Sequence, residues 1–90
     1  LTKAIRSTGQ FDRDLKKARK RGKELDKLWS VVTKLADGEP LPPRYRSHRL
    51  SGEWNDHREC HLEPDWLLVW YERETELVLV RLGTHADLFD

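Results

Sequence analysis

The stretch Trp66-Leu67-Leu68-Val69-Trp70-Tyr71 constrains this chain more than any other. It lies between Pro64-Asp65 and the polar segment Arg73–Glu76. A nearly continuous apolar run bounded by turn residues is the pattern of a central strand covered on both faces. Glu53–Leu62 on one side of it alternates, with Trp54, Cys60 and Leu62 on one face and Asn55, His57, Glu59 and His61 on the other. Leu77–Thr84 follows through a short polar turn, so the C-terminal half reads as a three-stranded antiparallel meander.

The N-terminal half carries a different period. Phe11, Leu15 and Ala18 share a helical face over about 10–21. Leu25, Leu28, Trp29, Val32 and Leu35 keep i, i+3, i+4, i+7 spacing over about 23–37. Gly22 and Gly38 read as helix stops. A join this short predicts an antiparallel αα-hairpin. Residues 2–7 read as a strand, and residues 38–52, with three prolines and two glycines, as an ordered irregular loop. The fold class is therefore α+β: an N-terminal strand, a helical hairpin, then the meander, forming a twisted sheet with helices on one side and the other side open.

Ninety residues suit one domain, 1–90. Burial of only about 60% of the unfolded surface leaves no room for a large internal cavity. The four tryptophans supply much of the apolar area such a core needs. The lone cysteine, Cys60, fits a reducing cytoplasm better than a disulfide-built secreted domain. No run is long enough to span a membrane and no signal peptide is visible. The net charge of +1 hides an asymmetry: residues 1–34 hold 11 Lys and Arg against 4 Asp and Glu, and residues 35–90 hold 6 against 12. A basic first half suits either solvated helix faces or a surface for a polyanion or an acidic partner.

Polar residues on the strands carry the chemistry. Arg81, Gly83 and His85 share a face by period two, as do His57, Glu59 and His61. His48 precedes the meander and Asp65 sits in its first turn. If these faces coincide, imidazoles, a carboxylate and a guanidinium meet on an open sheet. That set suits RNA phosphodiester cleavage: a base for the 2′-hydroxyl proton, an acid for the leaving 5′ oxygen, and a cation for the phosphoryl charge. Trp66 and Phe89 are candidates to stack on bases. Each has a plainer reading: His57 and His61 as surface histidines, His85 as a cap on a last turn, Arg81 as an ion-pair partner, Trp66 as core, Phe89 as a frayed end. Cys60 reads as a buried apolar residue. A zinc site on His57, Cys60 and His61 is the lesser reading, since His57 and Cys60 point to opposite faces and a second cysteine pair is lacking. There is no phosphate loop or catalytic serine motif.

The segments His48-Arg49-Leu50-Ser51-Gly52-Glu53-Trp54, Arg58 to Leu68 with its His61-Leu62-Glu63-Pro64-Asp65-Trp66 element, and Gly83-Thr84-His85-Ala86-Asp87-Leu88-Phe89 resemble the YafQ branch of the RelE/ParE-like type II toxins, as do Ser7–Phe11 and Leu15–Ala18. The resemblance spans nearly the whole chain. It implies the RelE-like fold and a metal-independent endoribonuclease that cuts messenger RNA in the ribosomal A site through the RNA's own 2′-hydroxyl, with no cofactor. Its functional positions fall on His48, His61, Asp65, Trp66, His85 and Phe89. His85 is the implied general acid, His61, His48 and Asp65 the base or its support, and Arg81 the phosphate ligand. The resemblance also implies a DinJ-like antitoxin, through which alone operator DNA would be bound, and assigns the helical cations, Lys16, Lys17 and Lys20 among them, to ribosomal RNA. The rival is a ParE-like toxin that binds DNA gyrase and cuts nothing, which leaves His48, His61 and His85 without work. A plain RNA-binding module is a third reading.

Overall fold

The computed structural model describes residues 2–89. In chain order the elements are β1 (Ala4–Ser7), α1 (Gly9–Lys20), α2 (Leu25–Ala36), β2 (His48–Arg49), β3 (Arg58–Glu63), β4 (Trp66–Glu72), β5 (Glu76–Gly83) and α3 (His85–Phe89). They form one mixed sheet in the order β1-β5-β4-β3-β2, with β1 parallel to β5 and all other pairs antiparallel. The apolar run is the central strand, as expected.

Both faces of β4 are buried, for different reasons. Trp66, Leu68 and Trp70 join Phe11, Leu28, Val32 and Leu35 in the core beneath the helices. Leu67 and Val69 point the other way and are buried too. On β5 the pattern changes hand partway along. Leu77 and Leu79 belong to the core, so strict alternation would send Arg81 there as well. Instead Val69 pairs with Arg81 while Trp70 pairs with Leu79, leaving Val80 as an extra residue. This bulge puts Leu82 into the core and turns Arg81 and Gly83 to the far face.

The helices are capped by local chemistry. The Thr8 hydroxyl accepts from the Phe11 N–H at 3.0 Å and donates to the Val80 carbonyl at 2.9 Å, so α1 starts at the bulge. Gly22 closes α1 at φ 75°, where the Lys23 N–H reaches the Ala18 carbonyl. Asp14 of α1 is 7% exposed and accepts from the Leu82 N–H at 2.9 Å, occupying the edge of β5 beyond the end of β1.

Three expectations change. The strand expected from Glu53 begins at Arg58. Gly52 sits at φ 69° and opens a 3₁₀ turn over Gly52–Trp54, and the His57 N–H then bonds back to the Trp54 carbonyl at 2.8 Å. Trp54 thus leaves the core face, and its ring meets His57 edge-on at 5.0 Å. The loop expected over 38–52 contains β2 and a 3₁₀ turn, Pro43–Tyr45, whose tyrosine joins the core. The last strand stops at Gly83, because Thr84 caps α3 reciprocally: its hydroxyl accepts from the Asp87 N–H and the Asp87 carboxylate from the Thr84 N–H, both at 3.0 Å.

Candidate active site

The far face of the sheet collects the polar residues in two rows. His48, Glu59, Val69 and Arg81 align across β2, β3, β4 and β5, and His61, Leu67 and Gly83 form the next row. At the end of the second row stand Asp65, in the β3–β4 turn, and His85, the first residue of α3.

Each imidazole is held through Nδ1. His85 Nδ1 lies 2.6 Å from Asp65 Oδ1, which also accepts the His85 backbone N–H at 2.9 Å. These two donors, the backbone N–H above all, hold the Asp65 carboxyl below the usual carboxylate range. His61 Nδ1 is 3.3 Å from the Pro64 carbonyl, and His48 Nδ1 is 2.9 Å from the Arg46 carbonyl. A carbonyl or carboxylate oxygen only accepts, so Nδ1 carries the hydrogen and Nε2 is the nitrogen left for proton exchange. The His61 and His85 rings are 5.7 Å apart, near enough for one phosphodiester to touch both.

Glu59 is the residue that sequence reasoning left without a role. It is 5% exposed, and its Oε1 lies 3.6 Å from His48 Nε2 and 3.8 Å from His61 Nε2. Its alternation with His57 and His61 was the signal that could have found it. His57 itself stands outside the cluster, packed between Trp54 and Tyr71.

Arg81 reaches the correct face but is already paired. Its Nε and Nη2 donate to Asp14 at 2.8 and 3.3 Å, which leaves Nη1 outside the pair. Trp66 corrects the expectation of a base platform: at 1% exposed it is core, with Lys23 above its ring at 5.4 Å. Phe89 is 47% exposed and lies one helical turn beyond His85. Lys16, Lys17 and Lys20 are exposed on α1, where Lys17 also pairs with Asp87 at 3.2 Å. Cys60 is buried, and burial pushes its thiol up to about 12, so it is an inert packing residue. No helix among the described residues is long and apolar enough to cross a membrane.

A sheet with one face packed under helices and the other lined with fixed imidazoles and carboxylates defines an open-faced α+β protein of acid–base character. Residues 3–90 match the family of bacterial toxins of type II toxin–antitoxin systems, YafQ. The chain is 40% identical over 90 residues to the mRNA interferase toxin YafQ of Escherichia coli K12, covering 99% of this chain and 98% of that protein. The crystal structure of the E. coli DinJ–YafQ toxin–antitoxin complex superposes with a TM-score of 0.92 at 40% identity over the full length of both chains. That of a metal-bound toxin from Helicobacter pylori gives 0.91 at 46% identity, over 99% of this chain and 100% of that one. The chain belongs to the YafQ family of type II toxins.

Proposed function

We propose that this protein is an endoribonuclease that cuts messenger RNA on the ribosome without a metal, in the cytoplasm, under the control of a DinJ-like antitoxin. The observation that carries this reading is the pairing of His61 and His85, 5.7 Å apart, each with Nδ1 engaged by a protein oxygen. A strand of RNA laid over the far face meets two imidazole Nε2 atoms at one linkage.

In the reaction His61 takes the 2′-hydroxyl proton. The 2′ oxygen forms a bond to phosphorus, the bond from phosphorus to the 5′ oxygen breaks, and His85 gives that oxygen its proton. The products are a 2′,3′-cyclic phosphate, which opens to a 3′-phosphate, and a 5′-hydroxyl. Asp65 fixes the His85 ring. Glu59 lies on the Nε2 side of both His61 and His48, at 3.8 and 3.6 Å, and offsets positive charge on them. Arg81 Nη1 offers a cation to the phosphoryl oxygens, and Phe89 offers a face to a neighbouring base.

Two similar structures, both of toxins from Helicobacter pylori, are metal-bound, one of them with copper. Among the described residues here, no group of three His, Cys, Asp or Glu side chains is arranged to hold a metal ion. The acid, the base and the cation are all supplied by side chains, so EDTA is expected to leave cleavage unchanged; strong inhibition would restore a metal to the mechanism. An open surface does not by itself hold a flexible RNA in line, which supports the ribosome as the scaffold that presents the substrate. Lys16, Lys17 and Lys20 supply cations for ribosomal RNA, and operator DNA is reached only through the antitoxin. The deciding experiment compares the wild type and His85→Ala on a short messenger RNA, with and without programmed ribosomes. Ribosome-dependent cuts by the wild type alone are expected. Absence of cuts from a folded, toxic wild type would overturn the nuclease reading and favour gyrase binding.

A further inference from the structure

Beside His61 the molecule opens into a cleft of about 460 Å³, bounded by Lys27 of α2, by Arg44 and Arg46 at the 3₁₀ turn, and by Glu63 at the β3–β4 corner. Its size lies within the roughly 300–1,000 Å³ range of clefts that take small ligands. His61 lines both this cleft and the catalytic cluster, so whatever fills one adjoins the other.

The charge of the cleft is not balanced by its own acid. Glu63 accepts from Lys23 and from Lys27, each at 2.9 Å, and these two lysines hold its carboxyl below the usual range. Two ammonium groups therefore already answer the one carboxylate, and Arg44 and Arg46 are in excess. Arg44 is held in place: its guanidinium lies over the Tyr45 ring at 4.8 Å, and its Nη2 donates to the Tyr45 hydroxyl at 3.2 Å. Arg46 has a φ of 50°, the one non-glycine residue in the left-handed region among the described residues. L residues other than Asn and Asp enter that region at a cost, and such strain gathers where function needs a fixed backbone. Here the strained carbonyl is the one that fixes His48 Nδ1. One residue thus aims a site imidazole through its backbone and borders the cleft with its side chain.

We propose that this cleft is the subsite for the nucleotide adjoining the scissile linkage, with Arg44 and Arg46 holding its phosphate. The inference rests on the nuclease reading and adds to it the path of the RNA. Excess cations bordering a catalytic imidazole, one of them stacked and pre-oriented, favour an RNA phosphate over an acidic protein segment, which has no need to reach the chemistry.

The test is the double variant Arg44→Ala/Arg46→Gly. Glycine at position 46 adopts the same φ freely, so the carbonyl that fixes His48 stays in place while the guanidinium is removed. The probe is an RNA hexamer methylated at every 2′ oxygen, which binds without being cut, titrated by fluorescence anisotropy over a series of salt concentrations. The double variant is expected to bind at least tenfold more weakly. Its plot of log affinity against log salt should be shallower by about 0.7 for each phosphate that the protein no longer neutralises. Lys34→Ala, on α2 and away from the cleft, should bind as the wild type does. Unchanged affinity and slope in the double variant, beside a wild type that cuts messenger RNA, would overturn the subsite and leave the nuclease standing. Unchanged RNA affinity with weakened antitoxin binding would overturn it in favour of the partner protein. A wild type that cuts no RNA fails the nuclease reading, and the subsite with it, without reference to the variant.

Discussion

At the scale of single residues, the three imidazoles of the site share one device: a protein oxygen on Nδ1. His85→Ala should keep the melting temperature within a few degrees, because an exposed side chain contributes little to stability, and cut turnover by roughly 10²–10⁴-fold, as loss of a general acid does. Thermal melts beside single-turnover cleavage check both halves. Asp65→Asn keeps a side-chain oxygen near His85 but removes the charge, and a smaller loss of roughly tenfold or more is expected. Asp14 behaves differently. It is buried and holds both Arg81 and the Leu82 N–H, so Asp14→Ala should destabilise by about 3 kcal/mol by stranding a partly buried guanidinium. Urea unfolding reads this directly, and a change under about 1 kcal/mol would mean that water replaces the carboxylate. The histidines, Asp65 and Arg81 were legible in the sequence as residue types that suit one reaction. The Asp14 pairing was not, because its partner lies 67 positions away and no local pattern links them. Trp66 was legible only as a choice between core and platform, and burial decides it.

At the scale of elements, α3 is five residues long and is held to the C-terminal end of α1 by its third residue. Asp87 accepts from Arg21 at 2.7 Å, from Lys17 at 3.2 Å and from the Thr84 N–H. The Arg21 bond first, and the Thr84 N–H after it, hold its carboxyl far below the usual range. A carboxyl depressed on folding contributes its stability in full above its unfolded value, about 3.9, and loses it as pH falls toward the folded one. Asp65 has the same sign. The protein should therefore melt at progressively lower temperature below about pH 4. Asp87→Asn should melt about 5 °C lower at pH 7 and approach the wild type at pH 2, with circular dichroism as the readout. Gly83 belongs to the same junction: a Cβ there would lie 2.8 Å from Asp87 Cβ. Gly83→Ala should displace α3 and with it His85, lowering cleavage tenfold or more while most of the sheet survives. Among the elements, long periodic segments were legible: α1, α2, β4 and β5 stand within a few residues of expectation. The two-residue β2 and the 3₁₀ turn at Gly52–Trp54 were not, since neither is long enough to show a period. The bulge at Val80 was hidden for a related reason. The far-face placement of Arg81 and Gly83 follows from period two counted back from His85, and the core placement of Leu79 from period two counted along β5. Only an extra residue reconciles them.

At the scale of the whole molecule, the helices carry excess positive charge and the far face of the sheet carries the chemistry. If the basic helix surface serves ribosomal RNA, Lys16→Glu/Lys20→Glu should slow cleavage on programmed ribosomes several-fold and leave the affinity for a free methylated hexamer nearly unchanged; equal loss in both assays would place the substrate on the helices instead. The division into two faces was legible from the composition of the two halves and from the central apolar strand. The convergence of His48, Glu59, His61, Asp65 and His85 needed the sheet order, which sequence pattern alone leaves open. The margins of that sheet have a separate consequence. Its two outer strands are four and two residues long, and where β1 ends the Asp14 carboxylate already occupies the Leu82 N–H. A sheet bordered this way gives another copy little backbone to zip onto. Asp14→Ala, by uncovering that amide on a long apolar strand, should therefore bring turbidity and light scattering at concentrations where the parent solution stays clear.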